Sequence, residues 1–139
     1  MKTVNLFVNN LNDRIMAVKF YKCSHCGNVV VKMVDSGVPV VCCGKPMEEL
    51  VANTVDASVE KHVPHVTTLG NGMFKIEIGS VHHPMTAEHH IAFIYVETEK
   101  GGVTVNLKNE PVAEICVCKD KPVAVYEYCN LHGLWKKEL

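Results

Sequence analysis

A thiol and an imidazole lie three residues apart in Glu127-Tyr128-Cys129-Asn130-Leu131-His132-Gly133, near the end of a 139-residue chain. Upstream histidines that could reach the same point are His62, in Glu60-Lys61-His62-Val63-Pro64, and His83 and His89, in His83-Pro84-Met85-Thr86-Ala87-Glu88-His89. Neutral nitrogens with one soft, electron-rich sulfur suit iron or copper, and five donors leave a six-coordinate ion one face for a small substrate. A second cluster, Cys23-Ser24-His25-Cys26 with Cys42-Cys43, has the spacing Cys-x2-Cys, fifteen residues, Cys-Cys. Four thiolates so spaced can converge tetrahedrally, which closes the site to substrate and leaves it a structural or one-electron-transfer role. Iron and zinc both accept such a set. His25 is expected to be a solvated turn residue, because four sulfurs already complete that site. Two metal sites of different donor type in one short chain point to redox chemistry.

The eight histidines separate by position. His62 precedes Val63-Pro64 and His83 precedes Pro84, and a following proline favours extended backbone that can fix a ring at a strand end. His82 and His90 adjoin candidate ligands. On extended backbone adjacent side chains point to opposite faces, so at most one of each neighbouring pair should reach a common metal, and residue types alone leave both choices open. His65 is expected at the surface. Cys129 and His132 are the firmest pair, and the amides that follow Cys129 could donate hydrogen bonds to its sulfur. Cys116 and Cys118 alternate, so a strand would put both sulfurs on one face. They are read as small core residues, the alternative being a redox-active pair.

The elements that must position these groups are short. Residues 1–18 carry little pattern, and Met16 would itself make a natural start, so they are read as an N-terminal extension. Residues 19–50 form a small cysteine-bearing module, with a strand expected over Val29-Val30-Val31-Lys32-Met33-Val34 from its β-branched content and a turn at Asp35-Ser36-Gly37. Some thirty residues cannot bury a useful core, so a metal is physically expected as a staple. Residues 51–139 read as all-β, with β-rich runs near 55–60, 65–69, 73–78, 91–97, 102–107, 113–118 and 123–128, the spacing of a sandwich. Asn71-Gly72 is a strong hairpin signal, because both residues tolerate positive φ, and Glu99-Lys100-Gly101-Gly102 suggests another reversal. The net charge is -1 and the pI about 6.7. No broad basic field exists to hold nucleic acid, and an anionic substrate must be drawn by a local lysine. The apolar runs are too short to cross a bilayer, and the first residues do not read as a secretory signal. A cytoplasmic address is expected, with the seven cysteines reduced or metal-bound rather than paired as disulfides.

Residues 19–139 resemble desulfoferrodoxin, the two-iron class of superoxide reductase. The resemblance rests on Tyr21-Lys22-Cys23-Ser24-His25-Cys26-Gly27-Asn28, Val41-Cys42-Cys43-Gly44-Lys45-Pro46-Met47, Glu60-Lys61-His62-Val63-Pro64, Gly79-Ser80-Val81-His82-His83-Pro84-Met85, and Glu127 to Gly133 with Trp135-Lys136. It implies a desulforedoxin-like module with an Fe(Cys)4 centre on Cys23, Cys26, Cys42 and Cys43. It further implies an immunoglobulin-like β-sandwich with an Fe(His)4(Cys) centre on His62, His83, His89, His132 and axial Cys129, in a homodimer. The activity implied is one-electron reduction of superoxide to hydrogen peroxide, with electrons from a rubredoxin-like donor. Lys61 would then draw the anion in and hold a water for proton delivery. Glu60 resembles the family residue that closes onto ferric iron at rest. His82 stands where the family usually has proline and His90 where it usually has tryptophan. Two competing readings are a zinc-stapled binding module without catalysis and a peroxidase using the same five-donor iron.

Overall fold

The computed structural model describes residues 18–139, so all of the expected extension except Val18 lies outside the described residues. The chain divides into two compact units, Met1–Val51 and Ala52–Leu139.

In the first unit β1 (Phe20–Lys22), β2 (Val29–Val31) and β5 (Glu48–Leu50) form an antiparallel sheet in the order β2-β1-β5, and β3 (Val41–Cys42) pairs with β4 (Lys45–Pro46). Phe20, Cys23 and Met47 are its buried apolar side chains among the described residues, which is too little to hold thirty residues without a staple. The strand expected over 29–34 stops at Val31. Lys32 Nζ donates to Asp35 Oδ1 at 3.0 Å and to Val38 O at 2.8 Å, and Gly37 N–H donates to Asp35 Oδ1 at 2.8 Å, so the chain curls back early. Met33 and Val34 are left exposed.

The second unit begins with a single helical turn, α1 (Val59–His62), followed by β6 (Pro64–Gly70), β7 (Met73–Ile78), β8 (Ile91–Thr98), β9 (Gly101–Asn106), β10 (Val112–Cys116), β11 (Pro122–Cys129) and β12 (Gly133–Glu138). Two antiparallel sheets result, in the orders β10-β7-β6 and β12-β11-β8-β9, the seven-strand arrangement of an immunoglobulin-like sandwich. Ile76, Ile78, Ala113 and Ile115 from one sheet and Ile91, Ile94, Val96, Val125 and Cys129 from the other make one buried cluster. Full burial of each isoleucine contributes about 1.5–3 kcal/mol. The Asn71-Gly72 hairpin forms as expected, Gly70 pairing with Met73 across residues at φ 54° and 76°. Glu99-Lys100 likewise links Thr98 to Gly101.

Three expectations need correction. The run near 55–60 is not a strand: residues 55–58 are irregular and α1 follows. Its β-branched content is overridden by hydrogen bonds to residues distant in sequence, since Ser80 N–H donates to Glu60 O at 2.7 Å and Gly79 N–H to Val63 O at 3.1 Å. Strand β12 has no counterpart among the expected runs. Leu134 and Trp135 are both buried although adjacent, and they face opposite sides of the sheet, so the alternation that betrays a strand is missing. Cys116 and Cys118 are exposed rather than core. They do share a face, but Ala113, Ile115 and Val117 take the inner one.

Candidate functional site

His62 sits at the end of α1, His83 and His89 in the connection from β7 to β8, Cys129 at the end of β11, and His132 in the turn to β12. The structure brings these five together, with one donor atom from each within 4.8 Å of every other. Backbone carbonyls orient two rings. His62 Nδ1 lies 2.6 Å from Ser58 O and His83 Nδ1 lies 2.7 Å from Pro84 O. A carbonyl only accepts, so each Nδ1 carries the proton and each Nε2 a lone pair. Those two Nε2 atoms are 3.2 Å apart, with no proton between them. His132 turns Nδ1 inward, 3.1 Å from His62 Nε2 and 3.8 Å from Cys129 Sγ, and His83 Nε2 is 3.5 Å from the same sulfur. His89 Nε2 is buried with no hydrogen-bond partner. Converging lone pairs and an orphaned buried nitrogen fit a bound cation, and backbone carbonyls placed on the far side of the ring hold metal-binding imidazoles in one tautomer.

Electrostatics agree. Burial lowers the pKa of His62, of His89 and of His83, the last to about 4, so the rings are neutral and able to bind metal near pH 7. Burial raises the Cys129 thiol, while the amides of Leu131 and His132 donate to its sulfur and pull it back; a cation there would complete the ionisation. In the metal-free protein, His83 binds its proton in the unfolded chain near its ordinary 6.5 but in the folded chain only near 4. The contribution of His83 to the stability of the sandwich unit is therefore fully present above pH 6.5 and is lost as the pH falls through that window. Thermal melting of iron-free protein across pH 4–7 checks this: wild type should lose stability more steeply towards low pH than His83→Gln, and parallel profiles would contradict it.

Supporting contacts come from residues that spacing did not single out. The Trp135 ring stacks on His62 at 4.9 Å and 20°, and its Nε1–H donates to His132 O at 3.1 Å. Asn130 receives His90 N–H on Oδ1 at 2.8 Å and donates from Nδ2 to Glu88 O at 2.9 Å, pinning the loop that carries His89. Glu127 lies fully buried in the core with neither oxygen partnered, and burial pushes it up to about 9, so it is a neutral acid at pH 7. Gly79 lies at φ +79°, where a Cβ would meet Glu60 O and Lys61 Cα at 2.7 Å. Gly79→Ala should cost on the order of 1–3 kcal/mol and displace α1. Urea unfolding measures this, and an unchanged midpoint would argue against the packing role.

Of the remaining histidines, His25 and His65 are exposed. His82 is exposed with its Nε2 3.8 Å from Glu77, and His90 Nδ1 is 2.9 Å from Thr86 O. The structure thus places His83 and His89 in the cluster and their neighbours outside it. Glu60 and Lys61 are exposed on α1. Ser58 Oγ donates to Glu60 Oε1 at 3.4 Å. The Lys61 charge adds to the effect of burial in lowering His62 and His89, so its field reaches the cluster.

Cys23, Cys26, Cys42 and Cys43 also converge within 4.8 Å. Cys43 and Gly44 hold φ of 52° and 75° between paired Cys42 and Lys45, a primed two-residue turn that lets adjacent cysteines aim at one point. Cys26 N–H donates to Cys23 Sγ at 3.5 Å, Cys26 and Cys42 sulfurs are 3.6 Å apart, and Asn28 Nδ2 donates to Cys42 Sγ at 3.7 Å. The Cys26 amide, foremost, brings Cys23 down to about 6, whereas hydrogen bonding to Cys26 raises Cys42 and pushes Cys43 up to about 12. Without a cation Cys42 and Cys43 resist ionisation beside Cys23 and Cys26, as expected of thiols built around a metal. The two donor sets fit two iron centres of different kind.

Comparison with known proteins follows both units. Residues 54–138 match the sequence pattern of desulfoferrodoxin and residues 16–50 that of the desulfoferrodoxin N-terminal domain. A desulfoferrodoxin of Nitratidesulfovibrio vulgaris is 44% identical over 122 residues, spanning 86% of this chain and 95% of its own length. One of Syntrophotalea carbinolica is 41% identical, spanning 87% and 96%. The crystal structure of the superoxide reductase from Treponema pallidum superposes with a TM-score of 0.73 at 31% identity, covering 88% of this chain and 99% of that one. Matched in order through both units, and similar to these relatives over nearly their whole length, the chain belongs to the desulfoferrodoxin family.

Proposed function

We propose that this protein is a superoxide reductase, converting superoxide to hydrogen peroxide by one-electron reduction. His62, His83, His89, His132 and Cys129 hold the reactive iron, and Cys23, Cys26, Cys42 and Cys43 hold a second iron. The observation that carries this reading is the convergence of four imidazoles and one amide-capped thiol beside an exposed lysine. Iron held by these five donors would supply the electron and could leave a coordination position for a small anion. The chain's own residues do the rest. Ser58 O and Pro84 O fix two tautomers, Trp135 braces His62 and His132, and the Leu131 and His132 amides tune the sulfur. Lys61 Nζ attracts the anion and holds a water that delivers a proton to it. The Glu60 carboxylate, of opposite charge, covers the site when no substrate is there.

The electron comes from a small rubredoxin-like carrier. The protein acts as a homodimer, to which the exposed Met33, Val34 and Val38 offer apolar surface, and it removes superoxide in the cytoplasm. Support for that address is the set of seven unpaired cysteines among the described residues, which suits a reducing compartment; no helix among those residues is long and apolar enough to cross a membrane.

A closed thiolate site has nowhere to bind substrate, so Cys42→Ser should disturb the Fe(Cys)4 spectrum while pre-reduced protein keeps most of its rate with superoxide. A large loss of that rate in correctly assembled protein would count against this division of labour. The reading as a whole is tested by metal analysis with a visible spectrum of the purified protein. Two iron centres with distinct chromophores are expected; zinc alone and no colour would leave a metal-stapled binding module instead.

A further inference from the structure

Cys116 and Cys118 belong to neither metal cluster. On a regular strand, side chains two residues apart stand roughly 7 Å from one another, yet these sulfurs are 3.3 Å apart. The approach is built by the backbone. The chain leaves β10 after Cys116, and Cys118 takes φ 54°. The turn is fixed by Val117 N–H donating to Gly72 O at 2.9 Å and Asp120 N–H to Val117 O at 3.0 Å. A Cβ on Gly72 would run into the Cys118 backbone, so the hairpin tip and the thiol turn are packed as one piece. Both thiols face solvent. They are also unequal. The Cys118 N–H donates to Cys116 Sγ at 3.3 Å. The hydrogen bond to that sulfur, and then its charge, raise the Cys118 thiol above its ordinary range, so Cys118 keeps its proton. An amide-supported sulfur beside a protonated one is the asymmetry of an attacking and a resolving cysteine.

We propose that Cys116 and Cys118 form a second redox site, a solvent-facing dithiol that hydrogen peroxide closes to a disulfide. The Cys116 thiolate attacks one peroxide oxygen; an S–O bond forms as the O–O bond breaks, and the departing hydroxide leaves as water with the proton that Cys116 had released. Cys118 sulfur then attacks Cys116 sulfur. The S–S bond forms as the S–O bond breaks, and the second hydroxide leaves as water with the Cys118 proton. Two thiols lose two electrons and two protons, and one peroxide becomes two waters. The sulfurs need only close from 3.3 Å to about 2.05 Å. The oxidant is the product of the reaction proposed above, but the step requires only that peroxide be present, so it stands apart from that reading.

The test uses full-length, iron-loaded protein treated with equimolar hydrogen peroxide, then denatured in an alkylating agent and digested. The segment 109–119 contains both cysteines and no other. Neither should take up label until a reductant is added, and Cys118→Ser should leave Cys116 as a sulfenic acid that dimedone traps. In Cys116→Ser, Cys118 should take full label. The same disulfide is expected in iron-free protein. Full labelling of both sulfurs after peroxide would overturn the proposal. So would sulfinic acid on both in place of a disulfide, absence of the dimedone adduct, or a disulfide that forms only when iron is present.

Discussion

Cys129→Ser is expected to abolish the thiolate-to-iron charge-transfer band and most of the activity with superoxide, while the Fe(Cys)4 spectrum persists. Cys129 Sγ lies 3.5 Å from His83 Nε2 and 3.8 Å from His132 Nδ1 in a fully buried position. A serine oxygen there is shorter, harder and far less acidic than a thiol, so it stays protonated where sulfur ionises against a cation. The amides of Leu131 and His132 lose the sulfur they point at. The substitution also leaves a buried hydroxyl in a core position, at a cost of about 1–3 kcal/mol, so the variant must be shown to keep its fold by circular dichroism. Full activity in folded Cys129→Ser would remove Cys129 from the reactive centre.

The second large effect concerns charge beside the site. Lys61→Ala should slow the bimolecular reaction of pre-reduced protein with superoxide roughly tenfold or more, the usual scale of local steering. The wild-type rate should fall as salt rises, and the variant should show a weaker salt dependence, because screening has less attraction to remove. Glu60 carries the opposite charge on the same turn, with its carboxylate held by Ser58 Oγ. Glu60→Ala should leave that step unchanged or slightly faster and alter only the spectrum of the oxidised protein. Pulse-radiolysis traces of both variants across ionic strength decide the matter. Equal rates for Lys61→Ala and wild type would make Lys61 an ordinary solvated lysine.

Much of the site was legible because metal chemistry restricts both residue type and spacing. The pairs Cys23/Cys26 and Cys42/Cys43 announce themselves, as does the Cys129–His132 turn, since each donor set is held by a short local loop. The choice between His82 and His83, or His89 and His90, was not legible from residue types. It depends on which way a ring points, and here that direction is set by Pro84 O, Thr86 O and the Asn130 side chain. Most strands were readable from β-branched runs and the Asn71-Gly72 turn. The exceptions have separate causes. At α1 the local pattern yields to hydrogen bonds from Gly79 and Ser80, and at β12 two adjacent buried residues hide the alternation. For Cys116 and Cys118 alternation suggested one shared inward face, but the register of β10 on β7 turns Cys116 outward, and Cys118 lies past the end of the strand at φ 54°.

Reduction of superoxide at the five-donor iron is checked by mixing pre-reduced, iron-loaded protein with superoxide under anaerobic conditions and counting products. One hydrogen peroxide is expected for each superoxide consumed, counting any that closes the Cys116–Cys118 dithiol, with no dioxygen and one centre oxidised in step. One peroxide for every two superoxides with release of dioxygen, or no consumption beyond the spontaneous rate, would contradict it.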